Sequence, residues 1–195
     1  MTAGKGNITG IFGGSFNPVH CGHIHLAEEV VRQQLADEVW LMVSPQNPLK
    51  KQASLADEQL RLQWTRRALE GIEGLEASDF EFHLPRPSYT WNTLQALRAA
   101  YPERTFALII GSDNWLLFDK WAHAEDLLRD YSFIIYPREG YPVDPAALPG
   151  NVRLLQAPLF PITSTDIRRM AAEGKDLHGL VPDVLIPDVE RVYGR

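Results

Sequence analysis

The chain has 195 residues, 45% of them hydrophobic and 23% charged, with a formal net charge of −6. That length suits one globular domain with a full core, and no apolar run approaches the ~20 residues of a bilayer span, so a membrane protein is excluded. The acid excess argues against a nucleic-acid wrapper, which needs a broad basic face, and any anionic ligand must find a local positive cluster such as Lys50-Lys51 or Arg168-Arg169.

Residues 7–13, "NITGIFG", read as a short buried strand. From about His23 to Leu35 the apolar positions Ile24, Ala27, Val31 and Leu35 mark one helical face. A second strand, "DEVWLMVSP" from Asp37, ends at Pro45. Leu60, Trp64 and Ala68 step at helical spacing up to Gly71, and "EASDFEFHL" reads as a shorter strand. "TWNTLQALRAAY" is a helix expected to open on a Thr90 cap. "RTFALIIGSD" and "YSFIIYP" are continuous apolar runs, the pattern of central strands covered on both faces, and "VRLLQA" offers a last strand. The segment Pro137 to Gly150 reads as a long surface loop.

Alternating strands and helices with apolar strands predict an α/β fold, a doubly wound parallel sheet in a single domain spanning 1–195. Such sheets bind ligands beyond the carboxyl ends of their strands. The stretches richest in chemistry do follow strands: "GGSFNPVHCGH" the first, "SPQNPLKK" the second, "GSDNW" the run ending at Ile110. A lone Cys21 forbids an internal disulfide, and the opening "MTAGKGNITGIF" carries no secretory signal, so the expected location is the cytoplasm.

Gly13 and Gly14 at a strand end let a ligand approach the backbone, and the helix that follows aims its free N–H groups at the same place. His20 and His23, at i and i+3 of the helix entrance, share a face and can donate hydrogen bonds to phosphate oxygens without permanent charge. The spacing matches neither the dinucleotide fingerprint nor the P-loop, which sets a dehydrogenase aside. His20, Cys21, His23 and His25 are all zinc-ligand types, yet structural zinc draws ligands from two separated segments and no second pair follows, so no metal site is expected.

"GGSFNPVHCGH" resembles the G-G-x-F-[DN]-P-x-H-x-G-H signature of the HxGH nucleotidylyltransferases. "PSYTWNTL" (Pro87 to Leu94), "IIGSD" (Ile109 to Asp113) followed by Trp121, and "ITSTDIR" (Ile162 to Arg168) are similar to segments of bacterial nicotinate-nucleotide adenylyltransferase. The closing "LVPDVLIPDVERVYGR" is similar to that family's C-terminal helix.

The resemblance implies a Rossmann-like nucleotidylyltransferase fold whose C-terminal helical part, about 162–195, completes an ATP site. It implies transfer of AMP from ATP to nicotinate mononucleotide, giving deamido-NAD and pyrophosphate by in-line attack without a covalent intermediate, with Mg²⁺ held mainly by the ATP phosphates. His20, His23 and Arg168 would be catalytic, Arg168 lying in a helix capped by Ser164 or Thr165. ATP would meet Gly13, Gly14, Ser15, Phe16, Lys50 or Lys51, Gly111, Asp113, Ser164 and Thr165. The nicotinate half would meet Ser88, Tyr89, Thr90, Ala122 and the ring of Trp121, while Trp40, Trp64, Trp91 and Trp115 are left to core or surface. No nucleic-acid or membrane partner is implied. Phosphopantetheine adenylyltransferase is set aside because its members are typically shorter and lack the P-S-Y-T segment, and a nucleotide-binding regulator because it would have no need of a complete set of α-phosphate ligands. Preference for nicotinamide mononucleotide stays open, since one oxygen-to-nitrogen exchange separates the substrates.

Overall fold

The computed structural model describes residues 7–45 and 55–194. The elements are β1 (Ile8–Gly14), α1 (Cys21–Arg32), β2 (Glu38–Val43), α2 (Glu58–Ala68), β3 (Leu75–Ser78), α3 (Thr90–Ala100), β4 (Thr105–Gly111), the single turn α4 (Ser112–Trp115), α5 (Ala124–Asp130), β5 (Ser132–Tyr136), β6 (Val152–Leu154), α6 (Ser164–Ala172) and α7 (Ile186–Tyr193). The six strands form one sheet in the order β3-β2-β1-β4-β5-β6, and every pair is parallel.

That order places a topological switch between β1 and β4, where Ile11 faces Leu108 and Phe12 faces Ile109. Chain connections leave the two strands in opposite directions, so a crevice opens beyond their carboxyl ends. Gly10 lets the strands close there, since a Cβ on it would meet Ile109 Cδ1 at 2.8 Å.

Alternation along the apolar runs divides the core in two. On one face Phe12, Leu41, Ile109 and Ile134 pack with Ala27, Trp64, Ile167 and Val189 from α1, α2, α6 and α7. On the other, Ile11, Met42, Leu108, Ile110 and Phe133 pack with Leu94, Leu97 and Leu127 from α3 and α5. Trp40 and Trp64 are core residues, and Trp91 and Trp115 lie partly buried against the second cluster.

Three local expectations are corrected. The strand read through "EASDFEFHL" stops at Ser78, whose hydroxyl accepts from the Phe80 N–H at 3.3 Å, and Phe80–His83 coils into a 3-10 turn. The first helix starts at Cys21 and ends at Arg32 because Gln34 is left-handed (φ 55°) and Leu35 N–H bonds back to Val30 O at 3.0 Å. Thr90 is the first helical residue of α3 and Tyr89 its cap; no side chain caps the free N–H groups of that helix.

Candidate functional site

The sequence-predicted residues fall into two neighbouring groups at the switch. The first lines a cleft of about 360 Å³: Gly13 and Gly14 from β1, Ser88 to Thr90 at the start of α3, Gly111 at the end of β4, and Trp121 with Ala122 before α5. Among the described residues a Cβ built on Gly13 meets nothing within 4 Å, so the backbone there stands open to the cleft. A Cβ on Gly111 would require the Asp113 carboxylate to shift and would come within 3.2 Å of Arg138 Nε.

Trp121 caps the 3-10 turn Phe118–Lys120, and its ring leans on Phe118 at 5.5 Å. His123, left-handed at φ 60°, then turns the chain into α5; its ring stacks on Trp91 at 5.4 Å and its Nδ1 meets Asp126 at 3.3 Å. This pair of contacts holds a conformation that costs a non-glycine residue of order 1 kcal/mol. The aromatic face of Trp121 and the uncapped start of α3 thus line the same cleft.

The second group gathers at the entrance of α1. His20 is its N-cap residue, and the rings of His20 and His23 stack at 3.6 Å and 28°. The His20 N–H donates to His23 Nδ1 at 3.2 Å. Phe16, left-handed at φ 43°, is pinned by edge contacts to Phe12 at 5.8 Å and His23 at 5.0 Å. Burial, with the positive charge of Arg138, pushes the His20 imidazole down from 6.5 to about 4, so it is neutral near pH 7. Its Nδ1 is buried with no hydrogen-bond partner among the described residues. His25, by contrast, faces solvent beside Glu28.

The C-terminal segment docks on this entrance. Ser164 Oγ donates to Pro18 O at 3.0 Å, and Arg168 Nη1 donates to Asn17 O at 2.8 Å. Arg168 Nη2 also donates to Thr165 Oγ1 at 3.2 Å, and the Tyr193 hydroxyl donates to Asn17 Oδ1 at 2.5 Å. The expected cap at Ser164 or Thr165 is corrected: Thr163 caps α6, its Oγ1 accepting the Asp166 N–H at 3.1 Å while Asp166 accepts in return. That leaves Ser164 to contact the turn after β1 and Thr165 to hold Arg168.

Sequence reasoning missed four contributors. Arg138, assigned to a surface loop, lies over the Tyr136 ring at 5.2 Å and donates to its hydroxyl at 3.2 Å. Its Nε sits 3.8 Å from Asp113 Oδ1, an oxygen with no hydrogen-bond partner among the described residues. The one available signal was position, just past the carboxyl end of β5. Arg61, fully buried, donates Nη1 to Ser15 O at 2.5 Å and to Ser44 O at 2.9 Å, and Nε to Ala56 O at 2.9 Å. It ties the turn after β1 to both ends of the segment carrying Lys50 and Lys51, which lies outside the described residues. Asn17 and Glu81 complete the set; Glu81 lines the cleft and accepts from Thr93 Oγ1 at 2.9 Å. Among the described residues no group of three or more His, Cys, Asp or Glu side chains is placed to hold a metal ion. No described helix is long and apolar enough to cross a membrane.

A profile of the cytidylyltransferase-like family matches residues 11–170. Proteins of Bacteroides fragilis and Bacteroides thetaiotaomicron, each named "Probable nicotinate-nucleotide adenylyltransferase", are 52% identical over 87% of this chain and 84% of their own length. A Plasmodium falciparum nicotinic acid mononucleotide adenylyltransferase complexed with NaAD shares the fold, with a TM-score of 0.79 at 19% identity over 95% of this chain and 96% of its own. By the profile match across most of its length and the identity to these relatives, the chain belongs to the cytidylyltransferase-like family and, within it, to the nicotinate-nucleotide adenylyltransferases.

Proposed function

We infer that this chain transfers AMP from ATP to nicotinate mononucleotide, releasing pyrophosphate and forming deamido-NAD. The observation that carries the reading is the pairing of two sites at one strand switch. A stacked histidine pair beside Arg168 suits phosphates, and an aromatic wall beside free helix N–H groups suits a ring bearing an anion.

ATP lies with its phosphates over the turn Gly13 to Phe16 and the start of α1, where N–H groups and the helix dipole favour negative charge. A neutral His20 donates one N–H to a phosphate oxygen, and His23, its Nδ1 already accepting, donates from Nε2. Arg168 spends two donors on Asn17 and Thr165 and offers the rest of its fork to the pyrophosphate that leaves. Lys50 or Lys51 adds a cation from the neighbouring segment. Asp113 and Gly111 flank the nucleoside end, with Arg138 beside them.

Nicotinate mononucleotide stacks its ring on Trp121 and directs its carboxylate to the donors of Ser88 to Thr90 and Ala122. Its phosphate oxygen then attacks the α-phosphorus in line, and no side chain forms a bond to phosphorus. The protein's work is positioning, together with hydrogen bonds that strengthen as charge moves onto the leaving group. Mg²⁺ would be held mainly by ATP oxygens and would supply charge neutralisation on the phosphates.

Pyrophosphate release with ATP and Mg²⁺ tests this, comparing nicotinate mononucleotide, nicotinamide mononucleotide and phosphopantetheine. The highest kcat/KM belongs to the first. Release with phosphopantetheine alone overturns the substrate, and release with none overturns the activity.

A further inference from the structure

Three separate segments converge on Asn17, a buried residue of the turn between β1 and His20 that is 3% exposed. The Ala56 N–H, just ahead of α2, donates to its side-chain Oδ1 at 3.0 Å. The Tyr193 hydroxyl, from the last turn of α7, donates to the same oxygen at 2.5 Å. Arg168 of α6 donates to its main-chain oxygen at 2.8 Å. Two donors fill the two lone pairs of Oδ1 and leave the amide one orientation.

The phenol is presented from a fixed frame. Its ring tilts against Trp64 of α2 at 6.1 Å, and Trp64 is fully buried. Near the start of α7, Asp188 accepts from Arg67 of α2, whose Nη2 donates to Val184 O at 2.7 Å. Ile186 and Val189 bury the face between these ends in the core that also holds Ile167 of α6. Burial, against the charges of Arg168 and Arg61, pushes the phenol up to about 12, so across neutral pH it keeps the proton it donates.

We propose that Tyr193 is a positioning residue for AMP transfer: its hydroxyl fixes the Asn17 side chain, and with it the main-chain oxygen on which Arg168 is held. This rests on the reading of Arg168 as a ligand of the ATP phosphates. Tyr193 acts through that guanidinium and not on substrate. A fork of donors stabilises a transition state fully only when held within about 0.5 Å of its productive place. Without the hydroxyl, Oδ1 loses one of its donors, the turn gains freedom, and Arg168 spends part of its time away from the phosphates.

The test is a double-variant cycle on kcat/KM for ATP, at saturating nicotinate mononucleotide, in the wild type, Tyr193→Phe, Arg168→Met and the double variant. Tyr193→Phe keeps the ring on Trp64 and removes only the donor, while Arg168→Met keeps the stem and removes the fork. Tyr193→Phe lowers kcat/KM for ATP about five- to tenfold, the scale of one network coupling, and leaves KM for nicotinate mononucleotide within about twofold. On the Arg168→Met background the same change costs less than about twofold, because the group it positions is gone. Arg168→Lys, which keeps the charge without the fork, closes the cycle if the methionine variant does not fold. Thermal midpoints separate positioning from folding: the lost hydrogen bond lowers them by about 2–4 °C on either background. Full activity in Tyr193→Phe with a lowered midpoint makes the hydroxyl purely structural and overturns the proposal, as does an equal loss of kcat/KM on both backgrounds. An Arg168→Met enzyme as active as the wild type overturns the phosphate role of Arg168 on which the proposal stands.

Discussion

The backbone N–H of His20 donates to Nδ1 of His23, so a neutral His23 carries its proton on Nε2. The stacked rings fix each other's orientation, and both imidazoles are set before a ligand arrives. His20→Ala and His23→Ala should each lower kcat by ~10²-fold or more, the scale of one lost transition-state donor. Circular dichroism and the thermal midpoint distinguish this from unfolding; a variant with full kcat removes that histidine from the chemistry.

Acid should weaken the fold through His20. Its native pKa of about 4 lies below the ordinary 6.5, so between those values the unfolded chain binds more protons than the native one. Stability then falls as pH drops through that window, by up to about 3 kcal/mol from this group at the acid end. His20→Gln should remove that part of the slope in urea titrations at pH 7 and pH 4.5. Binding of ATP should push the imidazole pKa up, a change that nuclear magnetic resonance reads directly; a pKa unmoved by ATP would place the phosphates elsewhere.

Gly22 is held small by Phe160. A Cβ on Gly22 would overlap that ring, which also lies parallel to His20 at 6.2 Å. Gly22→Ala should cost about 1–3 kcal/mol by overpacking and lower kcat by displacing the loop that leads to α6. Adding Phe160→Leu should restore part of both, and additive losses in the double variant would contradict the coupling.

Trp121→Ala should raise KM for nicotinate mononucleotide about tenfold and leave KM for ATP unchanged, since its ring belongs to the cleft and not to the histidine group. Equal loss for both substrates would make Trp121 a packing residue.

Among the described residues Arg61 makes no salt bridge; its guanidinium donates to the backbone carbonyls of Ser15, Ser44, Pro45 and Ala56. Arg61→Met should cost ~3 kcal/mol or more by orphaning those oxygens. Chemical denaturation measures it, and a loss under about 1 kcal/mol would mean that water takes the same place.

Those residues also show where sequence reading stops. The sheet, its parallel sense and the crevice were legible because β1, β4 and β5 are apolar runs that must be covered on both faces. That Gly13, Thr90 and Trp121 lie at one cleft and His20 at the entrance of α1 was legible from the family-like segments that carry them, whereas the cap of α3, read as Thr90, was not. Arg61 was not, since a helical arginine normally faces solvent, and its burial depends on carbonyls after β1 and after β2 as well as on the one just ahead of its own helix. Arg138 was hidden in a stretch rich in proline and glycine. The cap of α6 slipped by one residue because Thr163, Ser164 and Thr165 are all competent and only Asp166 decides among them.

The most direct measurement is phosphorus nuclear magnetic resonance of the enzyme with ATP, Mg²⁺ and nicotinate mononucleotide. Two new resonances of a dinucleotide diphosphate, growing in step with one inorganic pyrophosphate per ATP lost, are the expected result. An ATP spectrum that shifts on binding but is never consumed, or consumption to AMP without a dinucleotide, would contradict transfer to the pyridine nucleotide.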